Sequence, residues 1–418
     1  MSLLLKNVHV LDPNSPAHTK QADILIESGK ITSLKGKSAK KVIDLKGKMV
    51  SCGWMDLNAQ FSDPGNEHRE DISSGSDSAQ AGGFTDVCLT PDTNPPIQTK
   101  SDVNYLIKKS SDFLDIHPVA AISESLRGEN LSEMLDLHDA GAVGFSDGDN
   151  PVWNTELLLK ALQYTNDIGV PIIQNARDIN ISSKTHMHEG RVSTHLGLRG
   201  EPTLSEELTI QRDIEILKYS GGRLHFTKVT SAKGVDLIKK AKKAGLAITC
   251  DVGIHHLIFT EDSLVDFDTN LKSLPPFRTE ADRKALIKGV KEGTIDAICS
   301  NHRPYDQECK QLEFDLADPG SISLQTFYPV LLKLSKEIPM ETLIERIVNG
   351  PRKVLGWTEV KIDEGEEAKL TIFDPNTSWI LNDQSNMSKS RNSPFWNQEL
   401  TGKVIGTINR KSYNLRIK

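Results

Sequence analysis

The sequence has few cysteines, and their spacing does not suggest a zinc ribbon or a disulfide framework. There are five, an odd number, scattered along 418 residues without a C-x-x-C pair. Three of them lie in apolar runs, which is typical of buried free thiols, so we expect a reducing compartment. The cysteines are Cys52, Cys88, Cys250, Cys299 and Cys309.

Long apolar runs and an excess of positive charge are also missing. No uninterrupted stretch of about 18 apolar residues occurs, and the apolar run within Met1 to Lys6 is too short for a signal peptide. The formal net charge of −7 does not favour a basic face for a phosphate backbone. We therefore expect a cytoplasmic protein with neither a nucleic-acid nor a membrane partner.

The two ends of the chain share one pattern. Residues 2 to 50 alternate apolar and polar side chains between turn residues, and the same alternation returns in A-K-L-T-I-F-D-P and G-K-V-I-G-T-I-N-R-K-S-Y-N-L. Period-two alternation is typical of short antiparallel strands. Neither end can close a core by itself, so we predict that both ends meet in one small β-sandwich domain.

The middle of the chain alternates short apolar strands with amphipathic helices. About eight such units fill roughly 300 residues, which is typical of a TIM (β/α)8 barrel, and no dinucleotide fingerprint is present. The fold class is therefore α/β, with the barrel at residues 53–354 and the two halves of the β domain at 1–52 and 355–418. The predicted barrel strands lie at about 54–58, 84–89, 117–122, 142–145, 170–174, 223–229, 246–251 and 295–300.

Polar residues follow these strands and would face a common mouth. Amides dominate this set, and Asp147 is its only well-placed carboxylate. A hydrolytic metal centre needs imidazole and carboxylate ligands, which are scarce here. The set includes Asn58, Gln60, Asp92, Asn94, Ser146, Asp147, Asn175, Arg177, Asp178, Lys228, Asp251, His255, His256, Asn301 and His302.

A series of motifs resembles one family in order along nearly the whole chain. It runs from C-G-W-M-D-L and D-P-G through A-G-G-F-T-D-V, P-D-T-N-P-P, G-A-V-G-F-S-D-G and L-R-G-E-P-T-L-S-E-E-L. It continues with R-L-H-F-T-K-V-T-S-A-K-G, I-H-H-L, L-P-P-F-R-T-E-A-D-R, G-T-I-D-A-I-C-S-N-H-R-P-Y and K-S-R-N-S-P-F. The chain thereby resembles the dihydroorotase branch of the cyclic amidohydrolases.

This resemblance implies a binuclear zinc centre, but most of its positions have changed in this chain. The metal-binding pair after the first strand falls on Asn58 and Gln60, and two further histidines fall on Asn175 and Lys228. The catalytic aspartate falls on Asn301, and only Asp147 is kept. The positions that hold the substrate fall on Ser62, Asp92, Leu274 and Tyr305.

These replacements predict a centre without metal or hydrolysis. Neutral amides are poor zinc ligands, and the ammonium of Lys228 would repel a dication. Asn301 cannot accept a proton from an attacking water, which usually contributes about 10²- to 10⁴-fold. We expect Lys228 to pair with Asp147 in place of the missing cation, or both groups to be solvated separately.

Several histidines remain, and we interpret most of them as structural. Adjacent strand residues point to opposite faces, so at most one of His255 and His256 would face the mouth. By the same alternation, His225 would point away from the face that Lys228 occupies. His186 and His188 would lie in an exposed loop.

Three functions follow as hypotheses. The first is a catalytically inactive, metal-free homologue that acts as a structural or regulatory partner of aspartate carbamoyltransferase in pyrimidine biosynthesis, as the resemblance implies. The family also suggests a homodimer. The second is an active dihydroorotase with an atypical site, for instance a single zinc on Asp147 and His302. The third is a small-molecule sensor that uses the polar pocket.

Overall fold

The computed structural model describes residues 2–416, so Met1, Ile417 and Lys418, which the predicted domain ranges include, lie outside the described residues.

The N-terminal strands begin the sheet domain. Leu3 to Leu5, Val8 and Val10 of the first strand are fully buried, whereas polar residues occupy the exposed positions of the next strand. These strands are β1 (Ser2–Val10), β2 (Gln21–Glu27), β3 (Lys30–Ser33), β4 (Lys41–Asp44) and β5 (Met49–Cys52).

Eight parallel strands follow and form the barrel. Their residues are nearly all buried, because helices cover the outside and side chains fill the inside. The barrel closes where Ala59 pairs with His302, and the amide of Gln60 donates to the carbonyl of His302 at 3.1 Å. The strands are β6 (Trp54–Ala59), β7 (Phe84–Leu89), β8 (Asp115–Ala120), β9 (Gly144–Ser146), β10 (Ile172–Asn175), β13 (Leu224–Thr227), β14 (Ile248–Gly253) and β15 (Ala297–Cys299).

A two-stranded parallel sheet, β11 (Met187–His188) and β12 (Gly200–Glu201), lies in the long segment after β10. Helices connect the barrel strands and begin at caps that the sequence provides, such as Asp71, Thr99, Ser231 and Thr279. They are α1 (Ile72–Gly82), α2 (Lys100–Lys108), α3 (Met134–Asp139), α4 (Thr155–Asn166), α5 (Arg191–Leu196), α6 (Leu204–Ser220), α7 (Ala232–Lys243), α8 (Glu280–Glu292), α9 (Gln307–Lys310), α10 (Phe327–Leu334) and α11 (Met340–Leu355). Single 3₁₀ turns lie at Glu124–Leu126, Ile254–Leu257, Glu261–Leu264 and Thr269–Leu271.

The C-terminal strands β16 (Lys369–Ile380), β17 (Glu399–Asn409) and β18 (Ser412–Leu415) join the sheet of the N-terminal strands. The order is β18-β17-β16-β5-β1-β2-β3, and β4 branches off by pairing with β1. β1 pairs with β4 near its start and with β5 at its end, so the sheet divides into the two layers of a sandwich. The predicted fold, a barrel with a β domain formed by both termini, is confirmed.

The sheet domain packs on the barrel through aromatic side chains. Trp54 of β6 lies 5.8 Å from Tyr328 of α10 and 5.5 Å from Phe373 of β16, measured between ring centroids. The predicted boundary at 52/53 lies between β5 and β6, and the boundary at 354/355 lies in the last turn of α11. None of the helices within residues 2–416 has the length and apolarity needed to cross a membrane.

Candidate functional site

The polar residues predicted for the mouth do lie at the carboxyl ends of the barrel strands. Asn58 is the last residue but one of β6, Asn175 ends β10, Lys228 follows β13 and Asn301 follows β15 after one residue. Lys228 and Asn301 both have positive φ, at 57° and 50°, so the chain bends sharply as it leaves these two strands.

An ion network whose two cations are buried lies at the mouth. The ammonium of Lys228 donates to Asp149, and the Lys228 side chain is 0% exposed. Arg303 also reaches Asp149, with its Nε 3.3 Å from Oδ2 and one Nη 3.3 Å from Oδ1. A guanidinium nitrogen of Arg303 lies 3.9 Å from Asp92. Two basic and two acidic side chains therefore lie together at the mouth.

The network holds the carboxylate of Asp149 in its charged form. Burial by itself would raise the pKa of Asp149, but the charges of Arg303 and Lys228 and their hydrogen bonds lower it well below its ordinary value. Asp149 thus remains ionised across the neutral pH range, and it compensates two buried cations at once.

The predicted pairing of Lys228 with Asp147 is wrong. Asp147 accepts hydrogen bonds from the backbone amides of Ile122 and Ser123, both at 2.9 Å, and from the hydroxyl of Ser123. The donors after β8 therefore satisfy the carboxylate of Asp147. Lys228 forms its ion pair with Asp149, two positions later. Burial still raises the pKa of Asp147 to about 6.

The amide side chains that replace the expected ligands have fixed orientations. Asn58 donates from Nδ2 to Thr227 Oγ1 at 3.1 Å, and that hydroxyl in turn donates to Asp251. Asn175 donates from Nδ2 to the backbone carbonyl of Asp149 at 3.3 Å. The Oδ1 atoms of both asparagines are buried without a hydrogen-bond partner in the described part of the protein. Gln60 donates to the carbonyl of Asp92 at 2.6 Å.

A second polar layer supports the mouth from inside the barrel. His225 contacts Thr249 and Asp251 at 2.9 and 3.0 Å, and Asp251 also accepts the backbone amide of Lys228 at 2.6 Å. His225 thus faces the barrel interior beneath Lys228. Strict alternation does not extend to Lys228 because its φ of 57° breaks the strand.

The other histidines are mostly packed. Burial lowers the pKa of His255 to about 3 and that of His256 to about 4, so both rings are neutral. His255 packs against Phe259 and Phe395, and His256 donates to the carbonyl of Pro275 at 2.9 Å. His188 is buried on β11 beside Arg278. The interpretation of His188 as an exposed loop residue is therefore wrong.

The four positions of the substrate clamp are not brought together as one set of donors. Ser62 is buried at φ 56°, and Leu274 is half-buried and apolar. Asp92 belongs to the ion network, and its Oδ1 is buried without a partner among residues 2–416. Tyr305 lies further out, with Arg69 5.0 Å and Lys310 6.0 Å from its ring centroid.

The donor set does not fit the zinc pair that the resemblance implies. The positions of the expected ligands carry neutral amides and the ammonium of Lys228, which is the wrong chemistry for a dication. His302 accepts the amides of Ser323 and Leu324 at Nδ1, so its lone pair is already used. Within residues 2–416, no three His, Cys, Asp or Glu side chains are grouped so that they could hold a metal ion.

Two members of the network were not predicted from the sequence. Asp149 and Arg303 stand close to predicted mouth positions, in F-S-D-G-D and in N-H-R-P. The available signal was a second aspartate two residues after Asp147 and a cation two residues after Asn301. Gly148 between the aspartates has φ 67°, and a Cβ there would lie 2.6 Å from the Asp92 side chain.

Fold and mouth together define a TIM barrel with a terminal β domain, whose mouth carries amides and an ion network. Solved structures share this architecture. L-hydantoinase (dihydropyrimidinase) from Arthrobacter aurescens has a TM-score of 0.86 and 23% identity, covering 100% of this chain and 97% of that one. Dihydropyrimidinase from Brevibacillus agri NCHU1002 has a TM-score of 0.84 and 18% identity, covering 100% and 95%. At these identities the likeness shows the fold.

The sequence comparisons are more specific. A family model described as "Dihydro-orotase-like" matches residues 47–234. A dihydroorotase of Aquifex aeolicus (strain VF5) is 37% identical over 415 residues, 98% of each chain. A dihydroorotase of Geotalea daltonii is 35% identical over 417 residues, again 98% of each. The chain belongs to the dihydroorotase family.

Proposed function

We propose that this chain is a catalytically inactive, metal-free member of the dihydroorotase family. The observation that carries the proposal is the buried network of Lys228, Asp149 and Arg303. It places the ammonium of Lys228 at a position where the resemblance implies a zinc ligand, and a buried ammonium repels a dication strongly because the interior screens charge poorly.

Among the described residues, the mouth also lacks a group that could transfer protons during hydrolysis. Hydrolysis of a cyclic amide needs a group that takes a proton from water and returns it to the leaving nitrogen. Asn301 stands at that position, and its amide cannot act as a base near neutral pH. Asp147 is held by three donors after β8, and His302 carries its proton on the nitrogen that faces Glu70. A single zinc on Asp147 and His302 therefore lacks free ligand atoms.

We further propose a structural or regulatory role beside aspartate carbamoyltransferase in pyrimidine biosynthesis. Its support is the contrast between the changed mouth and the framework, which matches relatives named dihydroorotase over 98% of the chain. A gene that had lost its use would be expected to lose the framework as well as the site. Homodimer formation and a cytoplasmic location belong to the same proposal.

Metal content and turnover test the inactivity. The purified full-length chain is expected to hold far less than one zinc per chain after incubation with zinc and dialysis. It should also show no turnover of dihydroorotate or N-carbamoyl-aspartate above a protein-free blank. One or two zinc per chain together with turnover would establish the alternative, an active dihydroorotase with an atypical site.

A pair of variants tests the role of the lysine directly. The first restores the expected ligands but keeps Lys228, and the second also carries Lys228→His. Only the second is expected to bind zinc in a stoichiometric amount, because the first still holds an ammonium in the centre. Equal zinc binding by both variants would contradict the exclusion of metal by Lys228. The shared substitutions are Asn58→His, Gln60→His, Asn175→His and Asn301→Asp.

Association tests the partnership. The chain co-expressed with the aspartate carbamoyltransferase of the same genome is expected to co-elute with it in size-exclusion chromatography. The Aquifex aeolicus relative serves as a comparison protein of the same family. A chain that never associates with the carbamoyltransferase would remove the scaffold role and leave the proposed inactivity intact.

A further inference from the structure

A cleft of about 220 Å³ opens beside the barrel mouth, on the outer side of Tyr305. It lies between the segment after β15 and the C-terminal segment that follows β16. Its walls include two aromatic rings, those of Tyr305 and Trp396, and two basic side chains, Lys310 and Arg391. None of the four belongs to the ion network of the mouth.

The cleft carries a buried positive charge that no carboxylate among the described residues contacts directly, although Asp318 and Asp268 lie near enough to favour it electrostatically. The ammonium of Lys310 donates to the backbone carbonyls of Asp318 and Gly320, at 2.6 and 3.0 Å. In the part of the chain from residue 2 to 416, no carboxylate lies within 4.0 Å of it. Burial, with the nearby charge of Lys272, lowers the pKa of Lys310 to about 8. Because the pKa of Lys310 is lowered in spite of these two carboxylates, burial of its ammonium is costly, and an anion in the cleft would relieve that cost.

The acidic group in the cleft wall does not neutralise this charge. Asp306 also lines the cleft, but its carboxylate is held by Arg69 at 3.3 Å and by His68 at 3.2 Å. Arg391 pairs with Asp383 at 2.7 Å, and both of these side chains are at least half exposed. Such an exposed pair is weak and exchanges readily for a better anion.

The aromatic walls define the shape of the occupant. The guanidinium of Arg391 lies 5.9 Å from the Trp396 ring, and the ammonium of Lys310 lies 6.0 Å from the Tyr305 ring. The rings offer flat apolar surfaces and the cations offer positive charge, a combination that suits a flat ring bearing an anionic group. We propose that this cleft binds a small planar anion, a single ring bearing a carboxylate or a phosphate.

The cleft is connected to the ion network of the mouth. Asn392 donates from Nδ2 to the carbonyls of Arg303 and Gly320, at 2.9 and 3.1 Å, and its Oδ1 accepts the amide of Tyr305 at 3.2 Å. Arg303 in turn holds Asp149. A ligand that displaces Tyr305 would therefore alter the position of Arg303 through the hydrogen bonds of Asn392. Because of this connection, the cleft is suited to a regulatory ligand.

Three probes test the ligand class, and their choice rests on the proposed function in pyrimidine metabolism. Orotate is a planar ring with a carboxylate, uridine 5′-monophosphate carries a phosphate, and uracil is the uncharged ring. Titration calorimetry on the full-length chain is expected to show saturable binding of an anionic probe, with uracil at least about tenfold weaker. The anion that binds more tightly shows whether the cleft prefers a carboxylate or a phosphate. Equal binding of uracil, or no saturable binding below about 10 mM, overturns the proposal.

Substitutions locate the binding at this cleft. Arg391→Gln is expected to lower the affinity for the anionic probe by about tenfold, since it removes one charged donor from an exposed position. Arg191→Gln is the matched control, because Arg191 forms a similar exposed pair with Asp262 at 3.1 Å. Trp396→Phe should abolish the ligand-induced change in tryptophan fluorescence and keep the affinity within about threefold.

An unchanged affinity in Arg391→Gln would overturn the proposal, and so would an equal loss in Arg191→Gln. The thermal midpoint of each variant, measured without ligand, shows that it is folded. Failure of these tests leaves zinc content and turnover untouched, so it is distinguishable from failure of the proposed function.

Discussion

At the residue scale, the network of the mouth makes Asp149 the side chain on which two buried cations depend. Asp149→Asn is expected to lower the free energy of unfolding by about 3 kcal/mol or more, because the buried ammonium of Lys228 loses the carboxylate that it binds. Urea unfolding followed by circular dichroism measures this change.

The matched control is Asp236→Asn. Asp236 pairs with Lys240 at 2.7 Å on the exposed face of α7, and both side chains are more than half exposed. Loss of such a pair is expected to change stability by less than about 1 kcal/mol. A loss in Asp149→Asn as small as that of the control would show that the network contributes little to stability.

The second prediction at this scale concerns the pH dependence of Asp147. Burial raises its pKa from 3.8 to about 6, so the folded chain keeps a proton that the unfolded chain releases in this window. The burial penalty therefore grows as the pH rises from about 4 to 6, and it is fully present above pH 6.

The amide introduced by Asp147→Asn carries no charge, so burying it does not incur the free-energy cost of burying an ionised carboxylate. The stability of Asp147→Asn relative to the parent is therefore expected to rise by about 2.5 kcal/mol between pH 4 and pH 7. Unfolding of both proteins over this pH range gives the difference, which isolates Asp147 from other titrating groups. A difference that stays constant from pH 4 to pH 7 would contradict the raised pKa.

At the scale of elements, α11 is held close to the end of the barrel by Gly350. A Cβ on Gly350 would lie 2.1 Å from the backbone carbonyl oxygen of Asp296, just before β15. Backbone cannot move aside as a flexible side chain can. Gly350→Ala is therefore expected to push α11 outward and to cost about 1 to 3 kcal/mol in stability.

Thermal unfolding of Gly350→Ala measures this cost. Lys353→Ala on the same helix is the control, since Lys353 is exposed and its change should stay within about 0.5 kcal/mol. Equal midpoints for Gly350→Ala and the parent would mean that the helix has room to move away.

At the scale of the whole molecule, Asp86 joins the barrel to the sheet domain. It lies on β7 and accepts bonds from His117 at 2.9 Å, from Arg352 of α11 at 3.3 Å and from Lys369 of β16 at 2.7 Å. Burial would raise the pKa of Asp86, but the bond from His117 and the charges of Lys369 and Arg352 hold it well below its ordinary value.

Because the pKa of Asp86 is lowered in the folded state, its contribution to stability is present at neutral pH and is lost on acidification. Lys369→Met is expected to destabilise the protein by about 3 kcal/mol at pH 7. This difference should shrink as the pH falls from about 4 toward the lowered pKa of folded Asp86, since Asp86 of the variant, which lacks the charge of Lys369, takes up its proton at a higher pH than Asp86 of the parent. Acid and urea unfolding measure both effects, and a difference that does not depend on pH would contradict this assignment.

The fold was largely predictable from the sequence. The eight barrel strands lie within a few residues of their predicted ranges, and amphipathic helices connect them as expected. Periodicity and caps determine these elements locally, so the chain reveals them without knowledge of its contacts. The meeting of the two chain ends followed from two half-sheets that could not be stable alone.

The site was only partly predictable. The sequence by itself determined which residue types stand at the strand ends, and amides and a lysine stand where the resemblance implies metal ligands. Which carboxylate would meet Lys228 was decided by the tertiary structure, because it depended on donors from another loop. The backbone amides of Ile122 and Ser123 donate to Asp147. Lys228 therefore pairs with Asp149, which lies 79 residues away along the chain. Distances across a barrel arise from packing, which no local pattern encodes.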